Sequence, residues 1–96
     1  MDNLYYIENI GCDDTTHGLA IIPDEMFEAF KNIIEDLNKN SNCGCMPTIE
    51  VWKVTEDDLR EPTDDDCKDY VLHLGDKKYV MKEQRWDWSA KYERVI

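Results

Sequence analysis

The stretch DEMFEAFKNIIEDLN, residues 24–38, has the clearest structural signal in the chain and decides the fold class. Its apolar side chains recur at offsets of 0, 1, 4, 7, 8 and 11, which places them on one face of an α-helix. Asp24 and Glu25 begin the stretch, where the positive end of a helix dipole favours carboxylates. We therefore predict an amphipathic helix over 24–38. Its apolar residues are Met26, Phe27, Phe30, Ile33, Ile34 and Leu37.

Strand-like segments lie on both sides of this helix. They are rich in β-branched and aromatic side chains, which are typical of strands. Turn-forming residues at 11–18 separate the first two segments, and residues around Gly75 separate the last two, so each pair predicts a hairpin. The predicted strands are residues 4–10, 19–22, 48–54, 70–74 and 78–81, and the third of them has bulky side chains on both faces.

Two further segments complete the predicted fold. Thr55-Glu56-Asp57-Asp58 fits the start of a capping box, which predicts a helical turn to about Arg60. The C-terminal residues 83–96 fit either a strand, from the alternation of Trp86 and Trp88, or a helix, from the spacing of Trp88, Tyr92 and Val95. The order of elements predicts a single α+β domain over 1–96. It has an antiparallel sheet of about four to five strands with one amphipathic helix packed on one face.

The charge balance of the chain narrows its function. Twenty-two acidic and 11 basic residues give a net charge of −11, while 42% of the residues are hydrophobic, so we expect a folded acidic protein. Direct binding of nucleic acid is not expected, because phosphate binding needs clustered Lys and Arg. The N-terminus has no signal-peptide pattern and no segment is apolar enough for a membrane span. We predict a cytoplasmic protein with no membrane partner.

Neither a metal site nor a cofactor site is predicted. Cys12, Cys43, Cys45 and Cys67 are expected to be free thiols in a cytoplasmic protein, and the C-x-C spacing is shorter than that of most zinc sites. The run at 64–66 lacks the ligand spacing and glycine of a calcium-binding loop. Motifs for phosphate, dinucleotide or nucleophile chemistry are absent from the sequence.

Cys12 and His17 lie in one predicted loop and suggest a small thiol-dependent enzyme as an alternative function. Activation of the thiol needs a neighbouring cation, whereas Asp13 and Asp14 are carboxylates that disfavour the thiolate. We therefore predict a non-enzymatic protein with no catalytic residue, and we keep the thiol enzyme as an alternative.

Residues 56–69, called the acidic segment below, are the densest negative stretch. They contain eight acidic and two basic side chains, a net charge of −6. A solvated loop would explain such a run, but carboxylates on a rigid scaffold also imitate phosphates and attract a basic protein surface. The predicted partner-binding carboxylates are Glu56, Asp57, Asp58, Glu61, Asp64, Asp65, Asp66 and Asp69, with Asp13 and Asp14, and the predicted aromatic anchors are Trp86 and Trp88.

With Thr55-Glu56-Asp57-Asp58 and Thr63-Asp64-Asp65-Asp66 on a short anionic chain, the sequence resembles small phage-encoded inhibitors of bacterial defence systems, including acidic anti-CRISPR proteins. The resemblance implies stoichiometric binding to a nuclease or its nucleic-acid channel in the host cytoplasm. Residues 77–96 have a net charge of +3 and depart from a uniformly acidic nucleic-acid mimic. A homo-oligomeric structural or adaptor module remains another alternative, and the oligomeric state is left open.

Overall fold

Two antiparallel sheets and one long helix form an α+β fold in the computed structural model, which describes residues 2–10, 15–40 and 48–96. The larger sheet has the strand order β2-β1-β3-β7 and the smaller sheet has the order β4-β6-β5. The α+β class is confirmed, although the strands lie in two sheets rather than in one. The strands are β1 (Asp2–Ile10), β2 (Thr15–Pro23), β3 (Thr48–Val54), β4 (Leu59–Arg60), β5 (Leu72–Leu74), β6 (Lys77–Met81) and β7 (Glu93–Arg94), and the helices are α1 (Asp24–Asn40) and α2 (Trp88–Lys91).

The predicted amphipathic helix is confirmed as α1, which ends two residues later than expected, at Asn40. Acidic residues occupy its first turn and Lys39 its last turn, as the helix dipole favours. Phe27, Phe30 and Ile34 pack against the larger sheet, where the ring of Phe27 stacks on that of Tyr5 with centroids 5.3 Å apart. Burial of these three side chains holds α1 on the sheet, whereas the other half of the predicted apolar face, Met26, Ile33 and Leu37, is exposed.

The first hairpin is longer than the sequence predicts. Strand β2 begins at Thr15, so the part of the predicted loop from Thr15 to Gly18 is wrong. These residues continue the ladder as partners of β1, with Ile10 opposite Thr15 and Ile7 opposite Gly18. The β-branched threonines suit a strand, and pairing with a long neighbour outweighs their local turn tendency. Residues 11–14 lie outside the described residues.

The larger sheet is covered on both faces because its strands alternate bulky side chains. Tyr5 of β1 and Val51 of β3 face α1. Tyr6 and Trp52, one residue further along each strand, face the smaller sheet and the C-terminal segment. This arrangement explains why both faces of β3 have bulky residues, as the sequence predicts.

The second half of the chain differs from the prediction in its details. A 3-10 turn over Glu56–Asp58 replaces the longer helical turn, because Leu59 is buried in β4 opposite Met81. Strand β5 begins at Leu72 rather than at residue 70, and Gly75 takes a φ of 62° in the turn that follows it. That conformation favours glycine.

The helical interpretation of the C-terminal stretch is right for Trp88, whereas the strand interpretation from Trp86 and Trp88 is wrong, because these residues lie in a 3-10 turn and in α2. A 3-10 turn over Arg85–Asp87 leads into α2, and β7 then pairs with β3. The helical spacing of Trp88 and Tyr92 buries both rings. Over the described ranges, none of the helices has the length and apolar character required to cross a membrane.

We predict that Leu72→Ala lowers the free energy of unfolding by about 2–5 kcal/mol, because Leu72 is 2% exposed between the two sheets. The matched control is Leu37→Ala on α1, where the side chain is 54% exposed, and it should cost less than about 0.5 kcal/mol. Urea denaturation measures both changes. Equal losses in the two variants would contradict this packing.

Candidate functional site

The register of the larger sheet places two carboxylates opposite each other. Glu8 of β1 pairs with Glu50 of β3 on one side and with His17 of β2 on the other. Glu8 is 9% exposed and Glu50 is 7% exposed. Like charges directly opposite on neighbouring strands repel each other, and burial adds the cost of lost hydration. The sheet therefore needs a cation at this position.

Two arginines from the C-terminal segment supply that charge. The Nη2 atom of Arg85 lies 3.1 Å from Glu50 Oε2, and its Nε atom lies 3.5 Å from Glu8 Oε2. Arg94 Nη1 lies 3.3 Å from Glu50 Oε1. Two guanidinium groups thus face two carboxylates. Their positive charge offsets the repulsion between Glu8 and Glu50.

Arg85 is also held by aromatic rings. Its guanidinium carbon lies 4.7 Å from the centroid of the Trp88 ring and 5.5 Å from that of Trp52. A cation over the face of an indole ring is attracted by the ring quadrupole. The indole N–H of Trp88 in turn donates a hydrogen bond to the Glu83 carbonyl at 3.1 Å. These contacts determine where residues 83–88 lie on the sheet.

A chain of hydrogen bonds connects the end of the acidic segment to the same sheet. His17 Nε2 bonds the backbone carbonyl of Asp69, and His17 Nδ1 lies 2.8 Å from the Tyr6 hydroxyl. Since a carbonyl only accepts, Nε2 is the donor, and in the neutral ring Nδ1 accepts from Tyr6. Burial, together with the nearby Glu8 carboxylate, raises the pKa of Tyr6 well above its ordinary value. Tyr6 therefore stays protonated and able to donate.

Two carboxylates of the acidic segment have structural roles. Asp66 forms a bidentate pair with Arg60, with N–O distances of 2.8 and 2.9 Å, and accepts the Thr63 N–H at 2.6 Å. The Arg60 hydrogen bonds and the Thr63 N–H lower the pKa of Asp66 well below its usual range. Asp58 accepts the Thr55 N–H at 2.8 Å and so completes the predicted capping contact.

The other predicted carboxylates of the segment are exposed to solvent. None of these side chains is hydrogen-bonded or ion-paired to another described residue. The segment therefore presents an outward array of negative charge that its internal contacts leave free. The exposed residues are Glu56, Asp57, Glu61, Asp64, Asp65 and Asp69.

A cavity of about 760 Å³ lies between the acidic segment and the C-terminal segment. Tyr6, His17 and Arg85 are among the residues that line it, together with Tyr70 and Trp86. Tyr70 is 67% exposed and Trp86 is 77% exposed. Large aromatic surface is therefore open to solvent beside the acidic array, an arrangement typical of protein-binding surfaces.

The prediction of two aromatic anchors is wrong for Trp88. Trp88 is 5% exposed, and its ring contacts Tyr6 edge-on with centroids 4.7 Å apart. Its position one helical turn before Tyr92 directs both rings into the core, whereas Trp86 in the preceding 3-10 turn points outward. Of the two, Trp86 has the exposure that an anchor requires.

Sequence reasoning missed Tyr70 and the acidic pair beneath the cavity. The missed signal for Glu8 and Glu50 is strand alternation, since each lies two residues from an aromatic residue, Tyr6 or Trp52, on the same face. Tyr70 lies at the start of a predicted strand, but it belongs to the 3-10 turn before β5. Neither pattern in the sequence identifies Arg85 as the partner of Glu8 and Glu50.

The remaining candidates have separate outcomes. Cys12, Asp13, Asp14, Cys43 and Cys45 lie outside the described residues, so their proposed roles stay predictions. Both ring nitrogens of His17 are hydrogen-bonded, as described above. Cys67 is a free and exposed cysteine. Within 2–10, 15–40 and 48–96, no group of three or more His, Cys, Asp or Glu side chains is arranged to hold a metal ion.

We predict that Arg85→Met lowers the free energy of unfolding by about 2 kcal/mol, because it leaves Glu8 and Glu50 buried with less positive charge beside them. Half of the Arg85 side chain is exposed, which makes the loss smaller than for a fully buried pair. Adding Glu50→Gln should restore part of the stability. Lys91→Met, which removes the same charge from an exposed position, is the control. Urea denaturation that gives equal losses for Arg85→Met and Lys91→Met would contradict this role.

Comparison with known proteins finds no relative of this chain. The chain matches no family model, and neither the curated proteins nor the solved structures include a significant match to it. The function proposed below is therefore inferred from the residues, contacts and charges of this chain.

Proposed function

We propose that this protein is a non-enzymatic acidic binding protein that docks on a basic protein surface of the kind that binds nucleic acid. The observation that supports this function best is the acidic segment. It has six exposed carboxylates, and its backbone is held in place by internal contacts. Carboxylates at fixed positions imitate the phosphates of a nucleic-acid backbone and attract a basic surface over long range.

Several contacts hold the acidic segment in one conformation. The Arg60–Asp66 pair closes its middle, and the Asp66 N–H donates to the Thr63 carbonyl at 3.1 Å. Leu59 at one end and Leu72 just beyond the other are both buried in the core. A segment that is already ordered loses less conformational entropy on binding, so more of its charge attraction becomes affinity.

Three arginines of the chain are already paired with carboxylates, whereas Lys77, Lys78, Lys82 and Lys91 are exposed and offset part of this array. Arg85 and Arg94 are ion-paired with carboxylates of the larger sheet, and Arg60 is paired with Asp66. Lys68 is the remaining cation of the acidic segment. The net charge of +3 over residues 77–96 thus overstates how much positive charge is available at the surface.

The sequence resemblance to small phage-encoded inhibitors suggests the class of partner. We therefore propose a nuclease of a bacterial defence system, blocked stoichiometrically at its nucleic-acid channel in the host cytoplasm. Such an inhibitor needs a charged surface and no reaction of its own. The acidic segment fits this requirement, because two of its carboxylates hold its conformation and six are exposed.

Self-association is the alternative function that a specific observation favours. Met26, Ile33 and Leu37 form an exposed apolar stripe on α1, with exposed fractions of 60%, 60% and 54%. The same helix has five acidic residues and two lysines, a net charge of −3. Two copies meeting at this face would repel each other, so docking on a basic protein is the better-supported function.

We predict that Asp64→Asn with Asp65→Asn weakens binding to basic bacterial proteins about tenfold, because two exposed charges are lost from the array. Immobilised wild-type protein should capture such proteins from a nuclease-treated lysate at low salt. It should release them at moderate salt, where screening is stronger, and duplex DNA should displace them.

The matched control is Glu35→Gln with Asp36→Asn, which removes the same charge from exposed positions on α1. A captured protein, once purified, should lose its DNA binding when one molar equivalent of this protein is added. Equal capture by the two double variants, or capture that DNA does not displace, would contradict the proposed function.

A further inference from the structure

The cavity beside the acidic segment has an excess of negative charge. Four carboxylates and two guanidinium groups line it, a net charge of −2. Both guanidinium groups already have partners, since Arg60 pairs with Asp66 and Arg85 pairs with Glu8. The carboxylates of Asp69 and Glu83 have no hydrogen-bond or ion-pair partner within the described part of the chain. The cavity therefore favours a cationic occupant.

Glu8, on the wall formed by the larger sheet, adds to this preference. Its Oε2 atom is buried and accepts no hydrogen bond from the described residues, and its contact with Arg85 is 3.5 Å long. Only 9% of Glu8 is exposed, so water satisfies little of its hydrogen-bonding capacity. A buried acceptor without a hydrogen-bond donor is costly, and the Arg85 guanidinium group at 3.5 Å offsets only part of that cost, so additional positive charge in the cavity is favourable.

Aromatic rings lie beside these carboxylates. Tyr70 and Trp86 line the cavity and are the most exposed of its aromatic side chains, at 67% and 77%. The Tyr70 ring packs edge-on against His17 with centroids 6.5 Å apart, which helps to hold it at the rim. Aromatic faces that surround a cation together with carboxylates are a common means of binding it.

The inner wall of the same cavity shows that a guanidinium group fits this combination of side chains. Arg85 lies over the Trp88 ring and is paired with Glu8 and Glu50. At the rim, Trp86, Tyr70, Asp69 and Glu83 repeat these residue types. A planar guanidinium group stacks flat on an aromatic face and presents two parallel N–H groups to a carboxylate, whereas a compact ammonium group has neither the plane nor the fixed pair of donors.

We infer that this cavity binds one arginine side chain of the basic partner, with its guanidinium group between Tyr70 and Trp86 and paired with Asp69 or Glu83. This inference rests on the proposed function, and it adds the residue that the partner inserts. The exposed carboxylates of the acidic segment supply long-range attraction, whereas the cavity supplies the preference for arginine over lysine.

The test uses three acetylated and amidated heptapeptides, KGKRKGK, KGKKKGK and a version with citrulline at the central position. Arginine and lysine differ in shape at equal charge, and citrulline has nearly the shape of arginine without its charge. Isothermal titration calorimetry at low salt measures their affinities for the intact protein. We expect the arginine peptide to bind about threefold more tightly than the lysine peptide, and the citrulline peptide to bind most weakly.

Trp86→Ala should reduce the arginine-to-lysine affinity ratio to about one, because it removes the exposed ring. Asp69→Asn should lower the ratio, whereas the control Asp76→Asn, at an exposed turn residue that does not line the cavity, should leave it unchanged. A ratio of one in the wild-type protein, or an unchanged ratio in Trp86→Ala, would overturn the inference.

The double variant Asp64→Asn with Asp65→Asn separates this inference from the proposed function. It should weaken binding of the arginine and lysine peptides equally and leave their ratio unchanged. If this variant binds more weakly but the wild-type protein shows no arginine preference, the inferred arginine site is overturned and the docking function is supported. An arginine preference that depends on Trp86, with no effect of the double variant, would overturn the docking function instead.

Discussion

The contact of Arg85 with Glu8 and Glu50 is the interaction on which the rest of this structure depends. The register of β1 and β3 places the two carboxylates opposite each other on a buried face, which is unfavourable without a cation. Arg85 meets that requirement and brings the C-terminal segment onto the sheet. Trp88 then fills the core, and Trp86 is left in solvent at the rim of the cavity.

Internal pairing also determines which charges of this acidic protein remain available. Arg60 neutralises Asp66, and Asp58 accepts a backbone N–H, so these two acids organise the chain. The hydrogen bond from His17 to the Asp69 carbonyl holds the end of the acidic segment beside the cavity. The acidic residues behind the net charge of −11 are therefore of two kinds, those that maintain the fold and those that face outward. The outward acids are the ones available to a partner.

Much of the fold was predictable from local patterns, whereas most of the cavity was not. The spacing of apolar residues predicted α1, and the strand at 48–54 matches β3, because both patterns reflect burial along a single element. The cavity depends on contacts between residues far apart in sequence, such as Glu8 with Arg85. Charge counting located the acidic segment, but it could not separate Asp66, which is paired, from Asp64, which is exposed.

We propose the rim formed by Tyr70 and Trp86, beside the acidic segment, as the surface that meets a cationic partner. Amide and indole NMR spectra of isotope-labelled protein, recorded during titration with the peptide KGKRKGK, test it most directly. We expect the largest chemical-shift changes at the Trp86 indole N–H and at the backbone of residues 69–70 and 83–86, with α1 unaffected. Changes concentrated on α1, or none at the Trp86 indole, would contradict it.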